Sequence, residues 1–253
     1  MERFSTLFLC VVLAAAGVAS ANAGDLMWSS SLENDADTTN GGGSIVNGPT
    51  TYAPGVVGNA FIGNGSTYAQ WDNATVASIF DGGWDNAAGW TIDLYFGGDH
   101  WDTHSGDSGL WGVTDRYDAY DGYIMATVRS GEFRMVLRDS YTNGEYSQLL
   151  SGRLENNVAY HLVAQNIADQ LTISLNDTIV FDQNIGATVA FPAFNTYGGG
   201  NRFMCVGNRP VFGGTLQSGE WVDEIKIYNG VPEPATMLLL GLGGLSLIRR
   251  KRA

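Results

Sequence analysis

The sequence predicts an all-β protein built as a sandwich or barrel. Three observations carry this: short apolar runs with period-two alternation recur along the chain, Gly, Asn and Asp fill the intervals between them, and helix signals are nearly absent. In Leu171–Leu175, for example, Leu171, Ile173 and Leu175 fall on one face of an extended chain and Thr172 and Ser174 on the other.

Strands are expected at 91–96, 123–128, 133–138, 158–163, 171–175, 178–181, 203–206 and 221–228. Asn143-Gly144 and Asp121-Gly122 suit hairpin bends, and Asn176-Asp177 reads as a tight two-residue hairpin, because these residue types accept the positive φ that such turns need. Glycine tracts at 41–43, 82–83 and 198–200 sit among apolar residues with no shift in composition around them. The body from Gly24 to Gly230, about 207 residues, is therefore expected to form one domain with one core.

The ends read differently. Met1-Glu2-Arg3, an apolar run to Ala19 and the small-x-small exit Ala21-Asn22-Ala23 form a secretory signal, with cleavage expected after Ala23. At the other end stand Pro232-Glu233-Pro234, an apolar segment from Ala235 to Ile248 expected as a short helix, and the basic cluster Arg249-Arg250-Lys251-Arg252. Fourteen helical residues span roughly 21 Å against a hydrocarbon layer of roughly 30 Å, so the segment inserts marginally and its membrane contact is expected to be transient. Residues 231–253 closely resemble the PEP-CTERM sorting signal. That resemblance implies recognition by an exosortase-type processing enzyme and delivery to the cell surface or extracellular matrix.

Of 26 acidic and 13 basic residues, the two end segments hold Glu2 and Glu233 among the acids and five of the bases. The body keeps 24 against 8, a net charge of about −16. Such a surface repels phosphate backbones and argues against nucleic-acid binding, while it attracts cations. Cys205 is the one cysteine left in the body; its setting, Phe203-Met204-Cys205-Val206, reads as a buried strand.

Four stretches of the body resemble the LamG-like, concanavalin A-like jelly-roll family: Gly58 to Gln70, where that family has early paired strands; Gly89 to Phe96; Leu171 to Val180, a strand, Asn-centred turn and strand; and Val206 to Arg209 followed by Trp221 to Asn229 with its Asp-Glu-Ile-Lys-Ile-Tyr-Asn ending. The resemblance implies two antiparallel sheets packed face to face, often with rim calcium, and binding of carbohydrate or protein without catalysis. A glycoside hydrolase on the same sandwich and a purely structural matrix component are the alternatives.

For hydrolysis the best carboxylates are Glu220, Asp223 and Glu224. Strict alternation sets Asp223 with Trp221, Ile225 and Ile227, on the opposite face from the other two. A carboxylate on that apolar face needs a partner, either a neighbouring turn or an arginine such as Arg209.

Two acidic loops are the candidate calcium sites: Asp99, Asp102 and Asp107 in the first, Asp115, Asp118 and Asp121 in the second. His100 and His104 suggest zinc, but their spacing carries little outside a helix, and exposed polar loop residues are the better account. Trp71, Trp84, Trp101, Trp111, Tyr117 and Tyr120 lie in or beside loops and are the candidate sugar platforms.

Overall fold

The computed structural model describes residues 25–33, 43–46, 48, 51–80, 89–114, 123–138, 145–167, 169–186, 203–210 and 214–230. Both end segments, and with them the expected C-terminal helix, lie outside the described residues.

The strands form two antiparallel sheets. The eight-stranded sheet runs in the order β13 (Thr178–Asn184), β12 (Gln170–Leu175), β11 (Val158–Ile167), β6 (Trp90–Gly98), β15 (Trp221–Asn229), β4 (Asn59–Ile62), β3 (Thr51–Pro54), with β1 (Asp25–Ser30) also paired to β15. The seven-stranded sheet runs β10 (Glu145–Arg153), β9 (Glu132–Arg138), β8 (Tyr123–Arg129), β7 (Asp107–Thr114), β14 (Phe203–Val206), β5 (Tyr68–Trp71), β2 (Ser44–Val46). The chain crosses repeatedly between the sheets, in the manner of a jelly roll. All eight expected strands are present.

Two expectations need correction. The stretch Gly58 to Gln70 holds two strands that do not pair with each other: β4 pairs with β3 and β15, while β5 pairs with β2 and β14 in the other sheet. A helix was also missed, α1 (Asn73–Phe80). Asp72 caps it, accepting a hydrogen bond from the Thr75 backbone N–H at 3.1 Å, and Val76, Ile79 and Phe80 turn inward at helical spacing.

Alternation explains the core. In β6, Ile92, Leu94 and Phe96 are fully buried while Asp93 and Tyr95 face outward; in β11, Leu162 and Ala164 point in and His161 and Val163 point out. Aromatic contacts lock the layers together. Trp28 of β1 meets Trp71 of β5 edge-on at 5.0 Å, and Phe96 of β6 stacks on Phe133 of β9 at 5.9 Å. The β12–β13 hairpin turns at Asn176-Asp177 as expected, with φ of 48° and 62°. Cys205 is buried; desolvation pushes its thiol far above the ordinary range, and its Sγ approaches Asn208 O at 3.1 Å.

Strict alternation fails in β15. Val222, Ile225 and Ile227 all point into the core, which requires one extra residue between the first two, and the pairing with β6 shifts register between Asp223 and Lys226. Glu224 takes up the bulge with φ 48°. Asp223, opposite Tyr95, therefore shares that residue's outward face rather than the face of Ile225 and Ile227.

Adjacent glycines make room for indoles. A Cβ on Gly97 would stand 2.5 Å from the Trp221 ring, and one on Gly98 would stand 2.7 Å from Trp101. Gly97→Ala should cost about 1–3 kcal/mol through overpacking against a large rigid ring. Gly152→Ala, where nothing lies within 4 Å, is the control and should stay within about 0.5 kcal/mol. Urea denaturation of both variants checks this; equal stabilities would contradict the packing.

Candidate functional site

The three carboxylates of the first acidic loop, expected as calcium ligands, each meet a protein partner. Asp99 accepts from His100 Nδ1 at 2.7 Å, Asp102 accepts from Asn156 Nδ2 at 2.8 Å, and Asp107 binds Arg209 at 2.6 Å. The Asn156 hydrogen bond holds the Asp102 carboxyl below its usual pKa. Each carboxylate thus has a separate partner, and among the described residues no group of three or more His, Cys, Asp or Glu is arranged to hold a metal ion. Asp115, Asp118 and Asp121 lie outside the described residues.

The histidines are not simply exposed loop residues. His104 is buried, with Nε2 3.0 Å from Ser108 Oγ and 3.1 Å from Glu220 Oε1; His100 Nε2 is 3.5 Å from the same oxygen. Glu220 is fully buried, and its other oxygen accepts from the Gln217 N–H at 2.8 Å. The arrangement ties the 99–108 loop to the start of β15.

The hydrolase carboxylates are likewise engaged. Asp223 Oδ2 accepts from the backbone N–H groups of Val56 and Val57 at 2.8 and 2.9 Å, so it holds a neighbouring turn, while Arg209 pairs with Asp107 instead. Burial raises the Asp223 carboxyl above its usual value, and the two backbone donors pull the other way. Glu224 binds Lys226 at 2.9 Å.

Three of the expected sugar platforms are not available, for a simple reason. Trp71, Trp101 and Trp111 are buried at 1, 0 and 0% exposure, because their large apolar area fills the space between the sheets and beneath the rim loops. Trp84, Tyr117 and Tyr120 lie outside the described residues.

A different aromatic surface stands on the outer face of the eight-stranded sheet. Tyr95 of β6 and His161 of β11 are direct cross-strand neighbours, with rings stacked 4.4 Å apart and 13° from parallel. His161 Nε2 donates to Asp93 Oδ1 at 2.9 Å, and across β6 from that carboxylate stands Lys226 of β15. Tyr228 follows two residues later on the same face. Burial raises the phenol pKa of both Tyr95 and Tyr228, and Asp93 raises both further. Beyond Tyr95, the Asp223-bound turn carries Val56 and Val57, each nearly half exposed. A second carboxylate steadies this turn, since Glu33 accepts from the Asn59 N–H at 3.0 Å.

These rings and charges come from three central strands, and the sheet's regular spacing sets their separation. Sequence reasoning missed the group. The signal was present in the alternation of 92–96, which sets Asp93 and Tyr95 apart from Ile92, Leu94 and Phe96, but His161 and Lys226 join them only through pairing.

His161 offers a test of the geometry. Its hydrogen bond to Asp93 raises the imidazole pKa above the ordinary value, with burial opposing. A raised folded-state pKa contributes stability below the unfolded value of about 6.5 and loses it as pH climbs through the folded value. The stability gap between the wild type and His161→Gln should therefore be wider at pH 6 than at pH 9, by thermal melting in matched ionic strength. A gap that is constant or grows with pH would contradict the pair.

Comparison with known proteins adds two findings. Residues 230–252 match the PEP-CTERM protein-sorting motif. No curated protein matches the chain in sequence. Among solved structures, domain 4 of AbnA, a GH43 extracellular arabinanase from Geobacillus stearothermophilus, determined in complex with arabinotriose, superposes with TM-score 0.60 at 16% identity, covering 85% of this chain and 97% of that one. Botulinum neurotoxin type C, whose cell entry depends on two ganglioside molecules, gives TM-score 0.56 at 12% identity over 88% of this chain and 52% of that one. NanB sialidase from Streptococcus pneumoniae gives 0.51 at 18% identity over 70% and 26%. At such identities the likeness concerns the fold. The chain is a two-sheet β-sandwich with a PEP-CTERM motif, which marks it for export through the exosortase pathway to the cell surface or extracellular matrix.

Proposed function

We propose that the sandwich is a non-catalytic glycan-binding domain of the LamG-like, concanavalin A-like type, and that it binds through the outer face of the eight-stranded sheet. The observation that carries this is the stacked Tyr95–His161 pair, bordered by Asp93, Lys226 and Tyr228 on a solvent-facing sheet. Sugar rings present apolar faces edged with hydroxyls. Aromatic side chains flanked by charged donors and acceptors match both parts. The jelly-roll-like crossing of strands supports the family, and the arabinotriose bound to the arabinanase domain is a precedent for an oligosaccharide on a similar sandwich.

Catalysis is disfavoured by the commitments of the three best carboxylates. Glu220 is buried against two imidazoles, Asp223 holds a turn, and Glu224 is bound to Lys226. None stands as the acid or nucleophile that glycoside hydrolysis requires.

The body from Gly24 to Gly230 should bind on a glycan array. Tyr95→Ala should weaken that binding roughly tenfold, equivalent to about 1.4 kcal/mol, with the melting temperature nearly unchanged. Retained affinity in this variant would remove the proposed face from consideration. Failure of the wild type on every glycan, together with capture of a defined surface protein, would favour the protein-binding alternative.

The tail is proposed to be cut by the exosortase-type enzyme after transient arrest in the membrane, with Arg249, Arg250, Lys251 and Arg252 resisting translocation. Replacing the four with Ser should leave the tail uncut or release full-length protein. Mass spectrometry of surface material decides; an intact Pro232–Ala253 tail on the unmodified protein would refute processing.

A further inference from the structure

The charges around the aromatic pair say which glycans suit it. This step rests on the glycan-binding reading and asks what class of sugar that face selects. Among the described residues, four carboxylates besides the turn-bound Asp223 and Glu33 stand on or beside the outer face. Asp93 and Glu224 flank Lys226, Asp177 sits in the β12–β13 turn, and Asp182 lies on β13 opposite Thr172. Asp93, Asp177 and Glu224 all act electrostatically on Tyr95, and Asp93 and Asp177 both act on His161.

The two basic side chains described on this face already have acidic partners. Lys226 Nζ is 2.9 Å from Glu224 Oε2, and His161 Nε2 is 2.9 Å from Asp93 Oδ1. A uronate or sialate arriving here would meet two basic groups already paired with carboxylates and the remaining negative charge, in the field of a body with a net charge near −16. An ammonium meets the reverse. It can rest against the tyrosine faces, whose quadrupoles attract cations, and it can hydrogen-bond to carboxylate oxygens at their edges.

We infer that the Tyr95–His161 face selects glycans bearing free amino groups, accepts neutral ones more weakly and rejects acidic ones. The discrimination comes from the placement of Asp177, Glu224 and Asp93 around the rings and not from the body charge alone. Each exposed carboxylate–ammonium contact contributes up to about fivefold in affinity. Two such contacts of about threefold each give roughly tenfold.

The test uses four probes at fixed ionic strength: de-N-acetylated hexosamine oligomers, the same oligomers N-acetylated, a neutral arabinan and a polyuronate. Affinities should fall in that order, with the amine-bearing oligomer about tenfold tighter than its acetylated counterpart and the polyuronate unbound. The Asp177→Asn/Glu224→Gln double variant should lose about fivefold or more toward the amine-bearing oligomer and less than twofold toward the neutral arabinan. The control double variant Glu132→Gln/Glu155→Gln, which removes equal charge away from this face, should bind like the wild type.

Equal loss in both double variants would mean that whole-body attraction explains the preference, and the inference would fall. Polyuronate binding as tight as that of the amine would also overturn it. Tight binding of neutral glycan with no amine preference would overturn the selectivity while leaving the glycan-binding reading intact. No binding of any probe, in a protein that melts cooperatively, would sink both.

Discussion

The bulge in β15 is the feature on which the rest of the arrangement depends. This strand lies inside the eight-stranded sheet, paired with β6 along one edge and with β4 and then β1 along the other. It must fill the core and furnish part of the outer face. With strict alternation, Val222 and Ile225 would point to opposite faces, and one would leave the core. The extra residue at Asp223–Glu224 turns both inward, beside Ile227, and turns Lys226 and Tyr228 outward as neighbours of Asp93 and Thr91. Glu224 adopts a left-handed φ of 48°, which costs a non-glycine residue about 1–2 kcal/mol. Burial of Val222, Ile225 and Ile227, at about 1.5–3 kcal/mol each, exceeds that cost.

The same bulge anchors the neighbouring turn. Asp223 is brought beneath the 55–58 segment, where one carboxylate oxygen gathers two backbone N–H groups that a tight turn would otherwise leave unmatched. Gly55 lies so close that a Cβ there would stand 2.9 Å from the Ala60 Cβ. Core packing, turn geometry and the outer face are therefore coupled through two residues. A substitution at Asp223 would act on all three, and its effect on binding could not be separated from its effect on folding.

Acidic residues have two different uses in this chain. Inside and at the rim they satisfy donors: Glu220 under the 99–108 loop, Asp223 and Glu33 at the 55–58 turn, Asp107 against Arg209. On the outer sheet they border aromatic rings. Asp107 belongs to the first group as well as to the loop expected to hold a cation, and in this fold one of its oxygens accepts from Arg209.

The sequence by itself determined the sandwich, its eight principal strands, the Asn176-Asp177 turn and the sorting tail. These are local properties: alternation, turn-forming residue types and a contiguous motif can be recognised without knowing what lies across the sheet. The helix at 73–80 was missed, although Asp72 and the spacing of Val76, Ile79 and Phe80 are a local signal of the same kind. Tertiary structure decided which tryptophans are core, since Trp71 and Trp101 next to polar loops look like exposed platforms until the opposite sheet and Gly98 are in place. It also decided the faces of β15, because a bulge has no reliable residue signature, and the grouping of Asp93, Tyr95, His161, Lys226 and Tyr228. Those five lie up to 135 positions apart, and only the hydrogen-bonded register of β11, β6 and β15 makes them neighbours.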